Sequence, residues 1–153
     1  MTYYCTFFLK SNDTQAASRV LSSEIAEVIE CDDLHSPARL ASAERLRAAG
    51  LVRRVDLPRY AWTFDSEQAI GSDVWDPYPH VEWLLSRLRP GTSLAAERAA
   101  GTETHLGFFW GGRGTGGGPF ISVQLAEMLV RHQIALDIGF YYQDPDDESA
   151  DAT

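Results

Sequence analysis

The chain has 153 residues, of which 44% are hydrophobic, and this fits one globular domain rather than a disordered segment. Its formal net charge is −9, from 22 acidic and 13 basic residues, and such a surface repels phosphate backbones, so we expect no nucleic-acid partner. No apolar run is long enough to span a membrane and residues 1–10 do not form a signal peptide, so we expect a cytoplasmic protein with no membrane partner.

The first half of the chain predicts three strands and two helices. Residues 3–10 are rich in aromatic side chains and apolar on both faces, which predicts a central strand. Apolar residues at helical spacing predict a short helix over residues 16–21, and a weak alternation predicts a second strand around residues 26–30. Residues 37–50 predict a surface helix that begins with proline and ends at glycine, and residues 60–65 alternate as a third strand.

The middle of the chain predicts a loop and two further helices. Residues 71–79 contain too many turn-forming residues for a helix or a strand and predict a loop. Valine and leucine residues at i, i+3, i+4 and i+7 predict a helix over residues 80–89. Residues 93–100 predict one or two further helical turns, which Gly101 ends.

The clearest unit runs from residue 103 to residue 142. It begins with an alternating strand over residues 104–110, followed by a loop at residues 111–118 that has six glycines in eight residues. Ser122 is a plausible N-cap for the helix that follows. Residues 134–142 then alternate through five apolar positions, which predicts an amphipathic strand.

These elements predict an α+β fold, with a mixed or mainly antiparallel sheet, helices packed on one face and a single pair of layers. Residues 1–143 are predicted to form one domain, and residues 144–153 a disordered tail with five acidic residues and no basic one. Residues 39–59 carry a local excess of four positive charges, which indicates either a solvated helix face or a surface for an anionic partner. Cys5 and Cys31 match no metal-binding spacing and are predicted to be reduced, buried thiols.

The second half of the chain contains features that occur together in one bacterial family. An apolar helix precedes a strand that ends in the aromatic and glycine residues 108–112, and a glycine-rich turn follows. Ser122 then opens a leucine-bearing helix, and the sequence Ile-Ala-Leu-Asp-Ile occupies residues 134–138. This arrangement resembles the bacterial family called domain of unknown function 4279, over roughly residues 3–142. The resemblance implies a small cytosolic protein with an α+β fold and no assigned activity, and it supplies no catalytic residue.

The glycine-rich loop is the first candidate binding site. Successive backbone N–H groups can hold a phosphate, particularly ahead of a helix N-terminus. The loop lacks the Gly-Lys-Ser/Thr ending of a P-loop and does not open a helix directly, so it is either an anion site or a plain connection. Arg113 is the one side chain in the loop that can pair with an anion. The candidate binding residues of this region are Trp110, Gly112, Arg113 and Gly114.

The second candidate site lies in the proline-rich loop before the helix predicted at residues 80–89. Trp75, Asp76 and Tyr78 are its candidate residues. Aromatic side chains in such a loop are good anchors for a partner or a ligand. The alternative is that Trp75 folds back over the hydrophobic core.

No side-chain cluster in the sequence predicts a metal, a cofactor or a catalytic centre. Metal sites need histidines that converge with carboxylates, and the four histidines are scattered, at His35, His80, His105 and His132. No serine or cysteine lies in a nucleophile elbow. The carboxylate pairs Asp32 with Asp33 and Asp73 with Asp76 lie in predicted loops, where capping or solvation explains them. We therefore name no catalytic residue, no metal ligand and no cofactor.

Two classes of function stay open at this point. The first is a non-enzymatic interaction protein that binds a partner protein, such as an immunity-type protein that neutralises a basic toxin, because acidic surfaces speed the capture of basic partners. The second is a domain that binds a small anionic ligand with the glycine-rich loop. The sequence does not define an oligomeric state, although an exposed edge strand could pair two copies.

Overall fold

One five-stranded sheet forms the framework of the protein. The computed structural model describes residues 2–51, 56–112 and 117–142. The strands are Thr2–Ser11 (β1), Asp32–Asp33 (β2), Tyr60–Asp65 (β3), Glu103–Gly112 (β4) and Ala135–Tyr142 (β5). Their order in the sheet is β2-β3-β1-β4-β5, with β2 antiparallel to β3 and β5 parallel to β4. The predicted α+β fold with a mixed sheet is therefore confirmed.

Seven helices accompany the strands within the described ranges. They are Ala16–Val20 (α1), Ser23–Ala26 (α2), Pro37–Ala48 (α3), Glu67–Ile70 (α4), Pro77–Leu85 (α5), Leu94–Ala99 (α6) and Val123–His132 (α7). Four of them have a side-chain cap, in which a serine or aspartate oxygen accepts a backbone N–H of the first turn. The caps are Ser36, Asp76, Ser93 and Ser122. The predicted cap at Ser122 is thus confirmed.

Strand β1 is buried on one face and partly exposed on the other. Every second side chain from Tyr3 to Ser11 is buried, and those between them are only partly covered. Because side chains alternate across a strand, this pattern separates a packed face of the sheet from an open face. The prediction of a central strand is confirmed, since β1 is third of the five strands.

The chain divides into two compact units, and the prediction of a single domain is not tested by this division. The first unit comprises Met1–Phe7, Phe64–Arg87 and His105–Thr153. Its core contains Phe7, Leu84, Leu106, Phe108 and Leu125, each at most 1% exposed. Helix α5 packs against α4 and α7 in this unit. The predicted acidic tail, residues 144–153, lies outside the described residues.

The second unit comprises Phe8–Thr63 and Leu88–Thr104. Leu21 and Leu88 form an isolated antiparallel bridge in its core, and Ser11 and Thr102 share a buried hydroxyl contact of 3.2 Å. Helix α3 has no buried residue, so the prediction of a surface helix is confirmed.

Two arginines of the basic segment, residues 39–59, form exposed ion pairs in the second unit. Arg39 pairs with Asp32, and Arg59 pairs with Asp33 at 3.1 Å. These pairs accord with the interpretation of a solvated surface, and such exposed pairs contribute little to stability. The Asp33 carboxylate also accepts the His35 backbone N–H at 3.0 Å, so Asp32 and Asp33 both have structural partners.

Three sequence-based predictions for local structure are wrong. Residues 26–30 form no strand, because the N–H groups of Val28 and Ile29 donate to the nearby Ile25 carbonyl and not to a neighbouring strand. The helix predicted at residues 80–89 begins earlier, at Pro77, since proline suits the first helical turn, and it ends earlier, at Leu85. Cys31 was predicted to be buried and is exposed, whereas Cys5 is buried as predicted.

Candidate functional site

The loop before α5 places its predicted anchor on the surface. The Trp75 side chain is 55% exposed and therefore does not fold back over the core. Asp76 caps α5, because its Oδ1 accepts the backbone N–H of Tyr78 at 2.9 Å. The Tyr78 hydroxyl donates to Glu82 Oε1 at 3.1 Å, one turn along the helix. Trp75 is thus available as an anchor, while Asp76 and Tyr78 already have intramolecular partners.

Tyr3 brings the two predicted sites to one corner of the first unit. Its backbone N–H donates to the Ser72 carbonyl at 2.9 Å, in the loop that carries Trp75. Its ring packs against Trp110, with 4.8 Å between the ring centroids. Gly112 lies beside Trp110, because a Cβ atom at Gly112 would stand 3.3 Å from the indole Nε1.

Two of the predicted anion-binding residues have no described position. Arg113 and Gly114 lie outside the described residues, so the structure does not test the proposed phosphate cradle. The corner formed around Tyr3 places Trp110 and the loop near Ser72 together, but it leaves the arginine interaction a prediction.

A serine–histidine pair lies in the core of the first unit. Ser66 Oγ and His80 Nδ1 are 2.7 Å apart, and His80 Nε2 is 2.7 Å from the Val74 carbonyl oxygen. A carbonyl can only accept, so we assign the proton to Nε2, which leaves Nδ1 to accept the Ser66 hydroxyl proton. Ser66 Oγ in turn accepts the Cys5 backbone N–H at 2.9 Å.

Burial gives this pair a structural role. Ser66, His80 and Cys5 are all fully buried, so no substrate reaches the hydroxyl or the ring in this conformation. Burial lowers the pKa of His80 and outweighs the opposing effects of the Val74 carbonyl and the Asp76 charge. The neutral ring therefore connects β1, the segment after β3 and the loop before α5. Sequence reasoning missed this pair because residues 66 and 80 are far apart in the chain and form no motif.

An aromatic ladder crosses the open face of the sheet in the first unit. The Tyr4 and Phe109 rings stack with centroids 4.8 Å apart, and the Phe109 and Tyr141 rings stack at 4.5 Å. The three rings thus step from β1 through β4 to β5. Gly111 makes room for the ladder, because a Cβ atom there would lie 2.9 Å from the Phe109 ring. At Gly139, by contrast, a Cβ atom would make only an ordinary 3.6 Å contact with Tyr141.

Acidic side chains lie near the Tyr4 end of the ladder and farther along β5. Burial raises the pKa of Tyr4, and the nearby Glu67 and Asp65 carboxylates raise it further. On β5, the Asp137 side chain is 79% exposed, and its Oδ2 lies 4.0 Å from His105 Nε2. The open face therefore combines stacked rings with negative charge.

Large apolar side chains are exposed in the segment that ends with β5. We call the following five side chains the C-terminal apolar surface: Phe120, Ile121, Val123, Val130 and Phe140. Val123 and Val130 are 70% and 75% exposed and lie seven residues apart on α7, which places them on one helix face. The Phe140 ring lies next to Gly118, and therefore close to the segment that carries Phe120 and Ile121.

The described residues contain neither a candidate metal site nor a candidate membrane span. No group of three or more histidine, cysteine, aspartate or glutamate side chains in residues 2–51, 56–112 and 117–142 could hold a metal ion. Over the same ranges, no helix has the length and apolar character needed to cross a membrane.

Comparison with known proteins gives no relative for this chain. No family model, no curated protein and no solved structure matches it significantly. The resemblance to domain of unknown function 4279 accordingly stays a prediction. The function must be argued from the surfaces of the chain itself.

Proposed function

We propose that this chain is a non-enzymatic interaction protein that binds a partner protein through its C-terminal apolar surface. The observation that carries the proposal is the concentration of five exposed apolar side chains within residues 120–140. Exposed apolar side chains concentrated in one segment favour a protein interaction site. Trp75, 55% exposed on the same unit, adds a residue type that is enriched among interface anchors.

The charge of the chain indicates the kind of partner. A net charge of −9 repels acidic proteins and accelerates encounter with basic ones. A basic toxin that the chain neutralises, as an immunity protein does, is one partner class with this chemistry. Burial of the exposed apolar side chains would supply affinity for such a partner. The negative charge of the chain would speed its encounter with a basic protein.

A matched pair of valines tests the proposal. Purified chain is titrated by calorimetry, at low salt, against each protein encoded beside it. Val130→Ser should weaken binding at least about tenfold, because burial of a valine side chain is worth about 1.5–3 kcal/mol. Val28→Ser is the control, since Val28 is 76% exposed, against 75% for Val130, but lies on the second unit. Equal effects of the two substitutions, or no binding to any of these proteins, would contradict the proposal.

A second candidate function is supported by the corner around Tyr3. Tyr3 contacts Ser72, in the loop that carries Trp75, and also Trp110, in the strand that precedes the glycine-rich loop. A small anionic ligand bound by Arg113 would stabilise the fold. A thermal-shift screen with nucleotides, sugar phosphates and carboxylates tests it: Arg113→Ala should abolish any stabilisation, and an absence of stabilisation by all of them would rule it out.

A further inference from the structure

Among the described residues, β5 forms one edge of the sheet. β5 is the last strand in the sheet order, and within the described ranges no strand pairs with its outer side. An unpaired strand edge presents a row of backbone N–H and C=O groups that can accept another strand. β5 is also long, with eight residues, whereas β2 at the opposite edge has only two. Proteins keep edge strands short when no partner is to be added, so the length of β5 favours strand addition.

The aromatic ladder ends at this edge of the sheet, with Tyr141 on β5. Tyr141 is the last ring of the ladder: one face stacks on Phe109, while the side chain as a whole is 61% exposed. The ladder steps of 4.8 Å and 4.5 Å match the spacing of neighbouring strands in a sheet, which is about 4.8 Å. A strand added to β5 would therefore place a side chain one further step along, against the open face of the Tyr141 ring.

The charge of β5 favours basic side chains on the added strand. Asp137 lies on the same face of β5 as Tyr141, and its side chain is 79% exposed. No basic residue occurs in Ala135–Tyr142. Asp137 and Tyr141 are four residues apart, about 13 Å along the strand, so the two features call for two basic side chains. An arginine can stack its planar guanidinium on the Tyr141 ring, and a second basic side chain can pair with Asp137.

We propose that β5 accepts an extended, arginine-bearing segment of the partner protein as a sixth strand, with a guanidinium stacked on Tyr141 and a second basic side chain paired with Asp137. This inference rests on the proposed function, because it specifies how that partner is held. A second copy of this chain is a poor occupant. Its own β5 carries an aspartate and no basic side chain, so self-pairing would bring like charges together.

Synthetic peptides test the inference on the whole protein. The probe is an eight-residue peptide of alternating arginine and valine, as long as β5. Its control has the same charge but proline in place of valine, so it cannot form a strand ladder. We expect the arginine–valine peptide to bind, and to bind at least about tenfold more tightly than the proline peptide. Equal affinities would show a general attraction between opposite charges and would overturn the inference.

Substitutions on β5 identify the contact. Tyr141→Ser should weaken binding of the arginine–valine peptide about fivefold or more, and Tyr141→Phe should restore it, because either ring offers a stacking face. Asp137→Lys should weaken it about tenfold, while Glu30→Lys, with the same change in net charge on the second unit, should weaken it less than about twofold. Equal effects of the two lysine substitutions would overturn the inference.

The protein partner separates this inference from the proposed function. If partner binding is lost in Val130→Ser but unchanged in Tyr141→Ser and Asp137→Lys, the proposed function stands and the strand addition is wrong. If the chain alone forms a dimer that Tyr141→Ser dissociates, a second copy occupies the edge and the basic segment is wrong.

Discussion

Replacement of Ser66 by alanine should destabilise the protein strongly, although the side chain is small. Ser66 Oγ accepts the Cys5 backbone N–H at 2.9 Å and pairs with His80 Nδ1 at 2.7 Å. Both partners are fully buried, so water cannot replace the lost hydroxyl. Each buried polar group left without a partner costs about 1–3 kcal/mol, so we expect a loss of at least about 2 kcal/mol in the free energy of unfolding. That loss corresponds to a fall of about 4–8 °C in Tm for a chain of this length.

The assay is urea unfolding followed by circular dichroism, with Ser86→Ala as the control. Ser86 is exposed, and its hydroxyl donates to the Trp83 carbonyl at 2.6 Å, where water can take its place. Its replacement should change the free energy of unfolding by no more than about 0.5 kcal/mol. If Ser66→Ala were as mild as this control, the assignment of a buried Cys5–Ser66–His80 network would be refuted.

Three further predictions concern pH, a tight contact and a thiol. Burial lowers the pKa values of His80 and His132 below their ordinary value, so between the lowered pKa and about 6.5 the unfolded chain binds more protons and stability should fall as pH decreases. A flat urea midpoint between about pH 7.5 and 5.5 would contradict this. Gly111→Ala should cost about 1–3 kcal/mol in unfolding experiments, because its methyl group would overlap the ladder, whereas Gly139→Ala should be milder. Iodoacetamide should alkylate exposed Cys31 in the native chain and spare the buried thiol, as mass spectrometry would show.

The sequence predicted the regular elements well where local patterns determine them. The alternation over residues 60–65 and 134–142 and the capped helix after Ser122 correspond closely to β3, β5 and α7. Proline and glycine marked the ends of α3, where Gly50 adopts a positive φ of 74° that favours glycine. These signals are local, so no tertiary contact is needed to interpret them.

Predictions failed where the local sequence pattern is weak and where long-range contacts decide the structure. The strand expected at residues 26–30 rested on weak alternation, and local hydrogen bonds to the Ile25 carbonyl prevailed. The Ser66–His80 pair and the ladder through Phe109 and Tyr141 join residues distant in sequence, so no motif could reveal them. The sequence also did not predict the exposure of Val123 and Val130, because the exposure of an apolar side chain depends on how α7 packs.

Amide hydrogen exchange tests the docking of a partner strand on β5 most directly. The chain is compared alone and saturated with the arginine–valine peptide, and the exchange of Ala135–Tyr142 is followed by mass spectrometry. We predict slower exchange in β5 on binding, because a sixth strand would engage its outer amides, and no change at β2 on the opposite edge. Binding that leaves the exchange of β5 unchanged would contradict the account.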